Sequence, residues 1–435
     1  MKQRLNDLTW IVSGAALSAI GTLVGIRVLT QFLTPGDFGA VSLALGLSTL
    51  TISLVATPLT QAAIHFYPSL DRGDPTAQLL ASLRRCFASA APWIAGGVLL
   101  GAMAYIYWGH GAPLLALMLI LLLASDCWRA ANVSLLNAAR RNRAYALWVA
   151  GDAALRPLGA SLAVALFGSS PAIVLGAYLV VSAGLVVVFT HGSWRHKPDS
   201  EPHRSPAEPV AFDRKMWAYA LPLIPLGVIG WLSNLGDRYV IGGVMSLADA
   251  GVYAALYGIS SSPFMMVGGT VELALRPIHQ AAVARGDQHQ SQRMYRIWLA
   301  AVVTVCGIGV LALAVAHPWV AGLLVGKAYR PFSYLMPWIG LGYSIRSASY
   351  VFERMCYAYG KTQRVLVIQC CAAVATVVAT PLGVVYFGLE GAAIAVPLYF
   401  SVQLAVAILL ARRTIHEATA TGWSPATGRA VLDRP

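Results

Sequence analysis

Charge is what this sequence has least of. Only 11% of its 435 residues are Asp, Glu, Lys or Arg, where soluble domains carry roughly 25%. A soluble chain of this length would divide into two or three domains with charged surfaces, and the charge to cover them is missing. Cysteine is scarce as well. All six (Cys86, Cys127, Cys306, Cys356, Cys370, Cys371) fall in or beside apolar runs, without metal-ligand spacing or a secreted disulfide framework. They read as small core residues, and no metal or cofactor is implied. A G-x₄-G-K-[ST] phosphate loop is also absent, so an ion gradient or downstream consumption of the product is left as the energy source.

Long apolar runs take the place of charge. The hydrophobic fraction is 57%, in stretches such as "PLLALMLILLLAS" at 113–125 and "IVLGAYLVVSAGLVVVF" at 173–189. A helix needs about 20 mostly apolar residues to cross a bilayer core, and the chain therefore reads as an all-α polytopic membrane protein. Twelve spans are expected, at 8–30, 38–60, 86–108, 112–135, 145–167, 171–191, 216–240, 250–274, 294–316, 332–357, 364–387 and 391–411. The first follows Lys2 and Arg4 like a signal peptide, but it is too long for one and is read as an uncleaved helix.

The net charge of +13 follows the same topology. The segments 1–7, 61–85, 136–144, 192–215, 275–296, 354–364 and 412–435 alternate on one side of the membrane and hold 24 of the 31 Lys and Arg residues. The opposite loops hold only Lys327 and Arg330, with Arg27 and Arg238 at nearby helix ends. The positive-inside rule makes the first set cytoplasmic, with both termini there. Basic charge is thereby explained by topology, and nucleic acid is excluded as its partner.

The chain repeats itself. "TPGDFGAVSLALGLS" at 34–48 is echoed by "LADAGVYAALYGIS" at 247–260, with Asp37 on Asp249 and Gly39 on Gly251 at an offset of 212. "DRGDPTAQLLASLRR" at 71–85 is echoed by "ARGDQHQSQRMYR" at 284–296. The Asp of each first block suits a helix cap and the Gly a tight turn. Equivalent helices lie six spans apart and run in the same direction, which implies two six-helix lobes related by a parallel pseudo-two-fold repeat. The expected organisation is a lobe at 1–191, a Pro-rich cytoplasmic linker at 192–215, a second lobe at 216–411 and a tail at 412–435. The linker histidines His191, His196 and His203 lack rigid spacing and read as solvated. Duplicated bundles of this kind keep substrate near the interface of the halves and alternate access by rocking.

Several of these stretches resemble bacterial polysaccharide flippases of the multidrug/oligosaccharidyl-lipid/polysaccharide exporter superfamily. "FLTPGDFGAVSLALGLSTL" is similar to that family's N-terminal signature. "YALPLIPLGVIGWLSNLGDRYVIGGVMSLADAGVYAALYGIS" carries its Pro-containing seventh helix, the Asp237–Arg238 pair and the Gly-x-Tyr of Gly251–Tyr253. The Y-x₂-G-K-T stretch ending at Thr362 resembles the turn between its tenth and eleventh helices. The resemblance implies a non-enzymatic inner-membrane protein. It would move an undecaprenyl-diphosphate-linked oligosaccharide to the periplasmic leaflet, for O-antigen, capsule or exopolysaccharide synthesis. A polysaccharide polymerase and chain-length proteins would be its partners beside the membrane lipids. The related peptidoglycan-precursor flippases have fourteen helices, against twelve here.

Ionisable residues inside spans are costly and mark function by default. Asp126 and Arg129 are three apart in span four, and Asp152 and Arg156 four apart in span five, so each pair shares a helical face. They read either as self-neutralised structural pairs or as cavity groups, with Asp126 and Asp152 as candidates for ion coupling. Arg346, in "LGYSIRSASYVFER", has no acid three or four residues away and needs an external partner. That partner would be Asp126, Asp152 or an anionic substrate, since a guanidinium fork suits a diphosphate. Arg27 and Arg238 are candidate substrate contacts that also suit headgroup snorkelling. Gln369 and Gln403, single polar residues in apolar helices, suit sugar hydroxyls or helix–helix bonds. Tyr343 and Tyr350 flank Arg346 and could stack on sugars. Glu272 and Arg276 are spaced for an ion pair, and Trp108, Trp194, Trp217 and Trp319 for an interfacial belt. Prolines within spans, such as Pro58, Pro157 and Pro263, suit kinks. Two other readings compete. A polymerase or ligase would need a large outer loop with acids, whereas the longest, near 316–332, has none. A small-molecule exporter of the same superfamily would prefer an acidic cavity.

Overall fold

The expected spans are helices, and departures from straightness fall at prolines and glycines. The computed structural model describes residues 2–67, 75–107, 113–139, 141–193 and 209–421, and all regular structure among them is helical. Most of the linker, with His196 and His203, the tail beyond 421, Trp108 and Trp194 lie outside the described residues.

The order is α1 (Lys2–Phe32), α2 (Pro35–Thr51), a π-helical turn (Ile52–Ala56), α3 (Thr57–Phe66), α4 (Pro75–Tyr107), α5 (Pro113–Ala138), α6 (Asn142–Phe167) and α7 (Pro171–Ser193). Then come α8 (Pro209–Ala220), a 3₁₀ turn (Leu221–Leu223), α9 (Ile224–Val244), α10 (Leu247–Ala284), α11 (Gln288–Leu324), a 3₁₀ segment (Lys327–Leu335), α12 (Met336–Ala358) and α13 (Thr362–Thr421). The stretch α2–α3 is one span, widened by the π turn just before Pro58. The stretch α8–α9 is likewise one span, tightened where Pro222 and Pro225 remove amide donors. Helix α13 is two spans, because Gly388 (φ 59°, ψ −139°) turns the chain between arms 362–387 and 389–421. The described residues thus hold the twelve expected spans. Seven of their helical segments are, taken singly, both long and apolar enough to cross a membrane.

The repeated sequence blocks are repeated caps. Thr34 Oγ1 accepts from the Asp37 amide at 3.2 Å and donates to Asp37 Oδ2 at 2.7 Å. At the matching positions Ser246 Oγ accepts from the Asp249 amide at 3.1 Å and donates to Asp249 Oδ2 at 2.6 Å. Each satisfies an orphan donor in the first turn of its helix, so the caps of α2 and α10 are Thr34 and Ser246, and Asp37 and Asp249, expected as the caps, sit one turn in and hold the cap hydroxyls.

Packing divides the chain into two compact units, Met1–Trp231 and Leu232–Pro435. The division falls inside α9, past the linker. The first turns of α9 pack in the first unit, where Trp231 Nε1 donates to the Gly46 carbonyl at 2.8 Å. In that unit α1 lies close against α6: a Cβ on Gly14 would sit 2.7 Å from Ala146 Cβ, and one on Gly25 2.5 Å from Pro157 Cγ. Small residues at such crossings let helices approach where lipid gives no hydrophobic drive. Leu59, Leu79, Leu83, Leu135 and Met216 form a core joining α3, α4, α5 and α8. Beside it Arg85 clamps Asp213 through two bonds, of 2.6 and 2.9 Å. In the second unit Met355, Cys356, Val365, Ile368, Ala407 and Ala411 pack α12 against both arms of α13. All six cysteines are unpaired.

Candidate functional site

Four ionisable residues of the first unit close into one network. Arg129 on α5 reaches Asp126 at 3.4 Å and also Asp152 of α6 at 3.3 Å. Arg156 on α6 binds Asp126 and lies 2.8 Å from Asp152. The sequence spacing suggested two separate pairs, but each acid touches both arginines across the α5–α6 contact. Ser48 of α2 donates to Asp126 at 2.9 Å, and Arg156 donates to Ser182 of α7 at 2.8 Å. The tetrad is electrically neutral, and its members are mostly buried. It ties four helices together.

Arg346 in the second unit has a different environment. It lies ten residues into α12, or about 15 Å from the helix start by helical rise. Its Nε donates to Tyr350 Oη at 3.0 Å, and Nη1 donates to Asn234 Oδ1 and, at 3.4 Å, to Tyr343 Oη. The guanidinium carbon stands 5.1–5.3 Å from the ring centroids of Tyr343, Tyr350 and Phe400, within cation–π range. Among the described residues no carboxylate pairs with it. Tyr343 and Tyr350 therefore act on the arginine itself, and Tyr343 also donates to Tyr257 at 3.0 Å. A cavity of about 140 Å³ runs between α10, α11 and α12, lined by Arg346, Tyr350, Ser347, Gly268, Trp298 and Glu272. At roughly 30 Å³ per water molecule, it has room for four or five waters or one compact anionic group.

The remaining sequence candidates fall elsewhere. Gln369 and Gln403 do not reach the Arg346 cavity; they donate to Glu353 at 2.9 and 2.7 Å, from the two arms of α13. Glu353 is 3% exposed, and sequence reasoning gave it no role, because a Glu near a helix end resembles a surface residue. Arg238 lies over Tyr257, 5.3 Å from the ring centroid, and its neighbour Asp237 is buried and accepts from Tyr253 at 2.8 Å. Arg27 is half-buried on α1. Glu272 takes Arg276 at 3.2 Å as its spacing suggested, and also Arg354 of α12 at 2.7 Å. Asn234, which orients Arg346, was missed. A lone Asn in the apolar stretch "GWLSNLGD" was the available signal.

Apolar helices in two units, with arginines set among them, define a multi-pass membrane protein. Its fold is that of the MOP-superfamily transporters. The solved structure of the lipid II flippase MurJ in an inward closed conformation superposes with a TM-score of 0.71 at 11% identity, covering 94% of this chain and 90% of that one. An inward-facing multidrug resistance MATE family transporter of the MOP superfamily gives 0.68 at 13%, covering 95% and 96%. The Vibrio cholerae MATE transporter VcmN, in its bent form, gives 0.56 at 11%, covering 95% and 99%. No curated protein matches in sequence. The model of the polysaccharide biosynthesis protein family matches residues 28–333. The chain belongs to that family.

Proposed function

We propose that this protein is a flippase of polysaccharide assembly. It moves an undecaprenyl-diphosphate-linked oligosaccharide from the cytoplasmic to the periplasmic leaflet of the bacterial inner membrane by alternating access, with both termini cytoplasmic and no covalent chemistry. A polymerase and chain-length proteins would act on the delivered product. The observation that carries the reading is Arg346, a guanidinium deep in its span, oriented by Asn234 and Tyr350 and unpaired with any carboxylate among the described residues; the acid that lines its cavity, Glu272, is held by Arg276 and Arg354. Such a fork donates two parallel hydrogen bonds to a phosphate, and the aromatic cage holds the charge while the site is empty. Arg238 and Arg27 are further candidate substrate contacts, each within its own unit. Family membership supports the pathway, and the MurJ-like fold supports lipid-linked cargo.

The test is export. Arg346→Ala should abolish surface polysaccharide at normal protein level, with lipid-linked sugar accumulating on the cytoplasmic leaflet. Arg346→Lys should retain little, since a point charge cannot replace the fork. Undiminished export by the alanine variant would refute the assignment.

A further inference from the structure

Most acids within the spans have a cation beside them. Asp126 and Asp152 each touch two arginines, and Glu272 touches Arg276 and Arg354. Glu353 differs. It is 3% exposed, and its hydrogen-bond partners are Gln403 on Oε1 at 2.7 Å, Gln369 on Oε2 at 2.9 Å and, more weakly, Ser349 at 3.5 Å. The charged groups around it are committed elsewhere. On α12, Arg354 binds Glu272 and Arg346 is held by Asn234 and its tyrosines. On the first arm of α13, Arg364 is held by Thr414 at 2.7 Å and by Glu417. On α11, Arg293 and Arg296 are exposed. Cys356 meets Thr414 at 3.7 Å.

We propose that Glu353 is a proton-binding site, whose occupancy sets how tightly α12 holds the two arms of α13. Arg354 and Arg346 lie near enough to act on Glu353 through space, but a buried carboxylate with no cation at ion-pair distance is costly when ionised and far less so when protonated. The two glutamines suit both states. Each amide can present its NH₂ to an ionised oxygen, and after rotation its carbonyl can accept the O–H of the neutral acid. A metal cation fits less well, because among the described residues no group of three or more acidic, histidine or cysteine side chains gathers there. In the ionised state Glu353 grips both arms through charge-assisted bonds, stronger than their neutral counterparts. Taking up a proton weakens that grip. Glu353 lies seven residues from Arg346 on one helix, two turns along the same face and about 10 Å away by helical rise. A change in α12–α13 packing at the proton is therefore transmitted along the helix that carries the anion site. The use of this proton to drive translocation rests on the flippase reading; the proton site itself does not. It also places the ion chemistry on α12 and α13, away from the sequence candidates Asp126 and Asp152, where a proton would have to displace a guanidinium.

Infrared difference spectra of the purified full-length protein, recorded between acidic and alkaline buffer without substrate, test the site. The wild type should show a protonated-carboxyl band that disappears as pH rises. Glu353→Gln should lose that component, and Glu353→Asp should keep it at a displaced frequency and midpoint, which guards against a folding failure in the first variant. Wild-type and Glu353→Gln spectra that superpose at every pH overturn the proposal, as does a band that follows sodium concentration at constant pH. Failure here leaves the polysaccharide reading standing. Undiminished export by Arg346→Ala would sink the assignment of Arg346 to the cargo and leave this proposal untouched.

Discussion

Replacing Arg156 by Leu tests whether the tetrad of the first unit is structure or site. Arg156 is 9% exposed at the side chain and touches both Asp126 and Asp152; its loss leaves two carboxylates sharing Arg129. At the 3.3 Å separation of the surviving Arg129–Asp152 contact, one ion pair is worth about 5 kcal/mol of gross Coulomb energy at an effective dielectric of about 20. Desolvation offsets most of such a sum in the intact cluster, but removing one partner strands a buried charge at about 3–5 kcal/mol. With 1 kcal/mol moving the midpoint by about 2–4 °C in a unit of this size, Arg156→Leu should lower the thermal midpoint in detergent by about 10 °C. The double variant Arg156→Leu/Asp126→Asn restores neutrality and should recover a large part of that loss. Thermal unfolding followed by tryptophan fluorescence, with export measured in parallel, separates the alternatives. A wild-type midpoint in Arg156→Leu, together with lost export, would refute the structural account and make Arg156 a cavity cation.

Two further outcomes follow from local geometry. A Cβ on Gly391 would overlap the Gly383 carbonyl oxygen, a backbone atom that cannot swing aside. Gly391→Ala should therefore cost about 1–3 kcal/mol or more, whereas Gly307→Ala, with open space around it, should be neutral or slightly stabilising; equal midpoints for the two variants would contradict this packing. His279, near the C-terminal end of α10 and beyond the expected span, is buried with its ring nitrogen 3.3 Å from Ser291 Oγ, and burial lowers its pKa from the ordinary 6.5. The unfolded chain then takes up a proton first as pH falls. The contribution of His279 is full above about pH 6.5 and lost as pH drops toward the folded-state value, so the wild-type midpoint should fall on acidification and His279→Gln should flatten the fall. An unchanged profile in the variant would remove His279 as its source.

What the sequence determined by itself is what a single helix determines. Apolar run lengths set the spans, the lysine and arginine distribution gave an expected orientation, and the echo of Asp37 and Gly39 in Asp249 and Gly251 pointed to two matching helix starts, though the capping hydroxyls of Thr34 and Ser246 were not read from it. These are local properties, decided by hydropathy over about twenty residues or by a hydroxyl three positions from an amide. Spacing along one helix could also say that Arg346 lacks a helical acid, and that Asp126 and Arg129 share a face. It could not say which helices meet. Only tertiary packing decided that Asp126 and Asp152 each serve both arginines, that Asn234 orients Arg346, and that Gln369 and Gln403, on either side of the Gly388 turn, converge on Glu353. The physical reason is the bilayer itself. In a solvent as apolar as the side chains, periodicity no longer marks the buried face, and a polar group's role is set by the partner that reaches it across the helix contact.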